Sequence, residues 1–399
     1  MIQRQLSDSS TLVDELLLEE STDPEVIRYT YLQNSEAWKY RLSTEDYVKR
    51  EMYLREESMM LNNKTEPLMG IHLYVLRRSS EYSKTSSKTD NIVASLEVLI
   101  RKAWRVDGSN KENAYMVNCA TVGNVFTLKN HRGQGYASEL MNRLNVILDE
   151  KLGPGGFSNL YSEVGSFYSK FGFQDRLVKV NYIPSDFNLV KLNVHKFSFL
   201  RLKSYDEHVE LDSSNTLNDL LARAEHLGKN DVAVSLIPKP EIFHQINLKD
   251  QFIHNALYPK STKKVENFGV KFQNTNDHIL WNHDWNQRLL VITKVFIEDE
   301  ENSDAYIDKF LELVSLACVE ARAHELANVS IWSTSMAKTQ EVHFKLVKVL
   351  SEFFHHFDYK FSDMSLISHG AIRINDQLAA ENSQNNKIEW VQNEKWCWY

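Results

Sequence analysis

Val125-Phe126-Thr127-Leu128-Lys129-Asn130-His131-Arg132-Gly133-Gln134-Gly135-Tyr136-Ala137-Ser138 carries the chain's strongest structural signal. It opens as an apolar, strand-like run and breaks at Arg-Gly-Gln-Gly. It then continues into a helix-period segment carrying Leu140, Met141, Leu144, Ile147 and Leu148. A strand that leads through glycines into a helix start aims several unpaired backbone N–H groups at one point, where the helix dipole adds positive potential. Gly133 and Gly135 have no Cβ, so an anion can approach the backbone closely. Strand, loop and helix together predict a pyrophosphate-sized anion site.

Upstream, residues 70–76, 92–100 and 114–128 read as strands, with a Ser, Thr and Lys-rich loop at 79–89. Ser43-Thr44-Glu45-Asp46 reads as a helix start, whereas residues 1–20 suggest a frayed or docked helix. The rings of Trp38, Tyr40, Tyr47 and Tyr53 serve either core packing or a substrate pocket. Downstream, Gly153-Pro154-Gly155-Gly156 ends the helix, 157–163 reads as a strand, and 166–173 as a short helix. This βαβ order predicts two parallel strands joined by a right-handed crossover.

Arg132-Gly133-Gln134-Gly135-Tyr136-Ala137 resembles the acyl-CoA-binding signature of the GNAT superfamily of N-acetyltransferases, and Phe167-Tyr168-Ser169-Lys170-Phe171-Gly172-Phe173 resembles its second signature. More narrowly, residues 38–54, Ser162-Glu163-Val164-Gly165 and the tail 388–398 are similar to the fungal lysine N6-acetyltransferase family. The resemblance implies a mixed α/β (α+β) fold with a splayed mixed sheet and acetyl-CoA lodged between two parallel strands. It implies that backbone groups of Phe126, Thr127 and Leu128 meet the pantetheine arm. It also implies that Arg132, Gly133, Gln134, Gly135, Tyr136 and Ala137 hold the pyrophosphate. Tyr168 is then the acid that protonates the departing thiolate. Glu163 is the candidate base or relay, because an attacking amine must be neutral. A turn arginine, a half-buried helix tyrosine and a helix-capping glutamate are the structural alternatives for Arg132, Tyr168 and Glu163.

From about residue 187 the glycine signatures stop. Residues 217–227 read as helix, 232–237 and 279–281 as strands, and 289–297, 304–326 and 329–332 as a second strand, helix and strand. The connection 298–303 is acidic and lacks glycine, so it would repel a pyrophosphate. Two domains are expected: 1–186, catalytic and acetyl-CoA-binding, and 187–399, either a degenerate copy of the first fold or a divergent α+β domain. The aromatic tail, with Trp390, Trp396 and Trp398, is expected to dock on the first domain.

With 399 residues, 42% of them hydrophobic and 25% charged, the chain can bury a substantial core. Its net charge of −8 argues against a nucleic-acid partner. No apolar run is long enough to span a bilayer, and residues 1–20 do not read as a secretory or mitochondrial leader. Cys119, Cys318 and Cys397 lie far apart, and His355-His356 has no third ligand at suitable spacing. No metal is therefore expected, and a reducing compartment is, cytoplasmic with a nuclear pool left open. The expected function is an acetyl-CoA-dependent N-acetyltransferase acting by direct amine attack, on free lysine first. Another small amine, a protein lysine, or non-catalytic acyl-CoA binding stay open, as does the oligomeric state.

Overall fold

The structure is a computed structural model that describes residues 16–57, 66–78, 87–189, 192–202, 204–298, 303–337, 339–356, 366–375 and 387–397. Strand β1 (Leu16–Ser21) is followed by helices α1 (Pro24–Trp38) and α2 (Thr44–Glu57). Strands β2 (Gly70–Arg78), β3 (Ile92–Asp107) and β4 (Tyr115–Thr127) lead into α3 (Tyr136–Leu152), β5 (Phe157–Tyr161) and β6 (Gln174–Pro184). Next come β7 (Phe197–Arg201), α4 (Asp206–Ala224), β8 (Val232–Leu236) and α5 (Pro240–Leu257). The rest comprises β9 (Asn267–Phe272), β10 (His278–Asp284), β11 (Leu289–Phe296), α6 (Ser303–Ala323) and β12 (Asn328–Trp332). Helices α7 (Ser333–Met336) and α8 (Gln340–His356) and strands β13 (Leu366–Ile374) and β14 (Ile388–Trp390) complete it. No described helix is long and apolar enough to cross a membrane.

The helix expected within residues 1–20 is, where described, strand β1, paired antiparallel with β2. Its acids decide this: Glu19 pairs with Arg77 of β2, and Glu20 with His72 of β2 and Lys151 of α3, while Leu16 and Leu18 pack on the core. The start at residue 43 is as read, since Ser43 Oγ accepts the Asp46 N–H at 3.0 Å. The short helix at 166–173 is instead a 3-10 helix, Gly165–Phe171, stopped by Gly172 in the left-handed region. Residues 79–86, within the expected Ser-rich loop, and the side chains of His355 and His356 lie outside what is described.

All described strands join one sheet, ordered β1-β2-β3-β4-β5-β13-β6-β12-β11-β10-β9-β7, with β8 pairing β3 and β14. β4 and β5 are parallel, as the βαβ order requires, and so are β11 and β12 across α6. The chain therefore contains two similar strand–helix–strand units, one on each side of the sheet's centre. At that centre strands are exchanged. β13, late in the chain, lies antiparallel between β5 and β6, while β6 pairs with β12 of the second unit. The largest apolar cluster joins Val26, Phe126 and Phe157 with Trp281, Phe310 and Trp396, so both halves share one core. A second cluster packs Leu140, Met141, Leu144 and Leu148 of α3 on the opposite face. Each such buried side chain contributes about 1.5–3 kcal/mol. That burial holds α3, and the loop before it, against the sheet.

Candidate active site

β4 and β5 are paired only at Cys119↔Phe157, Ala120↔Ser158 and Thr121↔Asn159. β4 continues to Thr127 and β5 to Tyr161, but the two no longer touch as strands. A β-bulge accounts for the divergence. The β3/β4 register shifts between Ser95 and Glu97, and Asn124 takes a positive φ of 52°. Asn124 Nδ2 donates to Glu97 Oε2 at 2.6 Å and fixes the bend. Beyond it, the Leu128 N–H donates to Val93 O at 3.0 Å. Alternation along an antiparallel ladder then turns Phe126's backbone toward β3 and Thr127's toward the opening. Of the three residues expected to meet a pantetheine arm, Thr127 presents its backbone there. Leu128's amide is engaged elsewhere, and Phe126 contributes its ring.

After β4 the loop turns at Gly133 (φ 78°) and Gly135 (φ 84°), which a residue with a Cβ adopts only with strain. Gly135 caps α3 without a side-chain bond, and open space surrounds both glycines. The amides of Gly133, Gln134, Gly135, Tyr136 and Ala137 have no acceptor in the backbone hydrogen bonds described around the loop. The buried Tyr136 hydroxyl accepts from Arg78 Nη2 at 3.0 Å, so only its backbone N–H faces the loop. Arg132 folds back from the amides: its Nε donates to Thr127 O at 3.2 Å and its Nη1 reaches Glu36 at 3.3 Å. Lys170 Nζ donates to Ser138 Oγ at 3.0 Å, bringing a second cation to the first turn of α3.

The splay opens into a cavity of about 610 Å³ walled by α2, α5, the β10–β11 turn and the ends of β4, β5, β11 and β12. Tyr168 and Glu163 both line it. The Tyr168 ring packs edge-on against Phe167 and Phe173, while its hydroxyl has no hydrogen-bond partner among the described residues. Burial, reinforced by the Glu163 charge, pushes the phenol up to about 12, so it stays protonated at neutral pH. Glu163 Oε2 accepts the Trp38 indole N–H at 3.3 Å, and Trp38 stands edge-on to Phe126 at 5.9 Å. Trp38 thus spans the mouth of the splay, from β4 to the end of β5. Trp38, Tyr40 and Tyr47 line the cavity, whereas Tyr53 stacks on Phe252.

Several cavity groups escaped the sequence reading because distant segments supply them. Glu97 accepts from Tyr31 at 2.7 Å and from Arg55 at 3.1 Å, and burial raises its pKa. Lys249 of α5 makes no hydrogen bond or ion pair among the described residues, and burial, with Arg50 nearby, lowers its pKa. Asp284 uses one oxygen on the Asn286 and Gln287 amides. His369 arrives on the exchanged strand β13, where its carbonyl accepts the Ser162 N–H at 2.8 Å and its Nδ1 is buried without a partner. Lys170, beside the first turn of α3 rather than in the cavity, lies inside the second signature and was findable from sequence. Cys119, Cys318 and Cys397 are buried and their thiols are pushed up by burial, Cys397 to about 12, which disfavours a thiolate acyl carrier.

Residues 91–175 match the family model for the acetyltransferase (GNAT) domain, and residues 189–399, just over half of the chain, match that of the LYC1 GNAT-like C-terminal domain. An uncharacterized protein of Saccharomyces cerevisiae is 28% identical over 97% of this chain and 98% of its own length. A lysine acetyltransferase of Yarrowia lipolytica is 30% identical over 39% of this chain and 40% of its own. Among solved structures, a GCN5-related N-acetyltransferase from Anabaena variabilis superposes with a TM-score of 0.49 at 13% identity, over 91% of this chain and 73% of that one. With its glycine loop, its splayed strands and a second GNAT-like half, the chain belongs to the GNAT acetyltransferases, in the family that carries the LYC1 GNAT-like C-terminal domain.

Proposed function

We propose that the chain transfers the acetyl group of acetyl-CoA directly to the side-chain amine of free lysine. The observation that carries this reading is the cavity at the splay. It holds the carboxylates Glu51, Glu163 and Asp284 beside the ammonium of Lys249, which has no ion pair among the described residues, a set suited to both ends of an amino acid. The 30% identity to part of a lysine acetyltransferase supports lysine as the acceptor.

In this reading the pyrophosphate lies on the free amides of residues 133–137, and the pantetheine runs past Thr127 into the splay. The substrate ammonium loses a proton to Glu163 or His369, either directly or through water. The amine nitrogen then attacks the thioester carbonyl carbon and gives up its second proton to solvent, the C–S bond breaks, and the departing thiolate is hydrogen-bonded and protonated by the Tyr168 phenol, which regains a proton from solvent. Lys249 meets the α-carboxylate, and Asp284 or Glu51 the α-ammonium.

The test is thiol release from acetyl-CoA with a panel of free lysine, ornithine, cadaverine, spermidine and a lysine-containing peptide. Lysine should give the highest kcat/KM. A peptide or polyamine that outperforms it would replace the substrate assignment, and binding of acetyl-CoA with no turnover would leave a binding protein.

A further inference from the structure

A second constellation lies behind the cavity wall. His283 on β10, Glu320 on α6 and His324, one turn on from Glu320, bring one ligating atom each to within 4.8 Å of the others. His283 and Glu320 are 1% and 4% exposed, and the His324 side chain 6%. Both ring nitrogens of His283, Oε1 of Glu320 and Nδ1 of His324 are buried without a hydrogen-bond partner among the described residues. Orphaned polar atoms at such depth are destabilising unless something satisfies them.

Their spacing points to what does so. His283 Nε2 and His324 Nε2 stand 3.5 and 3.2 Å from Glu320 Oε1. Two ligands at about 2.0–2.1 Å from a tetrahedral zinc ion are separated by about 3.4 Å. The first separation is long for a hydrogen bond, and both suit adjacent vertices of a zinc tetrahedron. The surroundings fit as well. Asp250 Oδ2 sits 3.5 Å from His283 Nδ1 and also accepts the His283 backbone N–H, the carboxylate–histidine arrangement that orients a metal-bound ring. Asn267 Nδ2 donates to Glu320 Oε2 at 2.9 Å, leaving Oε1 to the ion. Trp285 stacks on His283 at 5.3 Å and stands edge-on to His324, closing the site with apolar surface. His254 is buried beside it, its ring 5.9 Å from that of His324 and its Nδ1 without a partner.

We infer that His283, Glu320 and His324 bind one zinc ion, with His254 or a water molecule at the fourth position. This inference departs from the expectation of a metal-free chain. The ion ties β10 to α6 and, through Asp250, to α5. Because His283, Asp250 and Trp285 also line the acceptor cavity, it braces that wall without touching the reacting atoms.

Metal analysis of the full-length protein, purified and dialysed without chelator, should find about one zinc per chain. The Glu320→Gln and His324→Ala variants should lose it. A chelator should lower the Tm of the wild type, and Zn²⁺ should restore it. If the variants do not fold, chelator-treated wild type titrated with Co²⁺ decides: a tetrahedral visible absorption saturating at about one equivalent supports the site. Failure of the wild type to bind zinc or cobalt, or full zinc retention by a folded His324→Ala chain, overturns it in favour of a metal-free buried ion-pair network.

Discussion

The guanidinium of Arg132 is held by the carboxylate of Glu36 at 3.3 Å, on the end of α1, while the loop amides beside it stay open. Both side chains are nearly half exposed, so the pair contributes no more than about 1 kcal/mol. A phosphate bound at the loop would draw Arg132 away at that small cost. Glu36→Ala should therefore tighten acetyl-CoA binding by up to about fivefold, and Arg132→Ala should weaken it. Calorimetric titration at low and high salt checks both, and an unchanged Kd in Arg132→Ala would remove Arg132 from the phosphate site.

Tyr168 offers to the cavity a phenol with no hydrogen-bond partner among the described residues. Tyr168→Phe should lower kcat by about 10²- to 10⁴-fold and leave acetyl-CoA affinity intact. Since burial holds the phenol near 12, protonated throughout the usual assay range, the alkaline limb of the wild-type rate profile should not report this residue. Pre-steady-state kinetics of the variant against pH separates the two effects.

Lys249 has no ionic partner among the described residues, and a substrate carboxylate would supply one. Hydrogen bonds to charged groups contribute about 1.5–3 kcal/mol, or about 10- to 150-fold in affinity. Lys249→Met should raise the KM for lysine by that factor and leave cadaverine, which has no carboxylate, unaffected. Equal losses on both amines would place Lys249 outside the acceptor site.

Glu20 joins β1 to His72 at 2.7 Å and to Lys151 at 2.8 Å. The His72 hydrogen bond pulls its carboxyl from 4.5 down to about 2. Because the folded value is the lower one, the stabilisation is complete above about pH 4.5 and is lost as pH falls toward 2. With a third of the side chain exposed, it amounts to about 1–2 kcal/mol after screening. Glu20→Gln should lose that much at pH 7 in urea unfolding and show a flatter acid limb. A variant with the wild-type acid limb would contradict it.

Trp396 is 1% exposed, stacked on Phe243 at 5.5 Å, with Lys294 Nζ 4.5 Å from its ring centroid. Trp396→Ala should cost about 3–5 kcal/mol in chemical denaturation. The same ring lines the cavity, so acceptor KM should rise as well.

The strand, glycine loop, helix and parallel strand around Arg132 were legible because each is specified within about ten residues: apolar alternation, Gly133 and Gly135, then the Leu140 to Leu148 face. The exchange of β6 and β13 was not, since no local pattern says which parallel unit an antiparallel strand will join. The cavity shows the same divide. Tyr168 and Glu163 follow the local motif, whereas Lys249, Asp284 and His369 reach it on elements placed only by the whole sheet. His283 and Glu320 are 37 residues apart, too far for any ligand-spacing rule to connect them. The acids of β1 misled the reading of residues 1–20, because their partners His72, Arg77 and Lys151 lie on other elements.

The most direct test follows the acetyl group itself. With carbonyl-¹³C acetyl-CoA and free lysine, NMR and mass spectrometry should find the label on the lysine side-chain nitrogen, with one thiol released per acetyl group and no labelled protein. Label on the α-amine, on a protein side chain, or nowhere but in acetyl-CoA would contradict direct transfer to the lysine side chain.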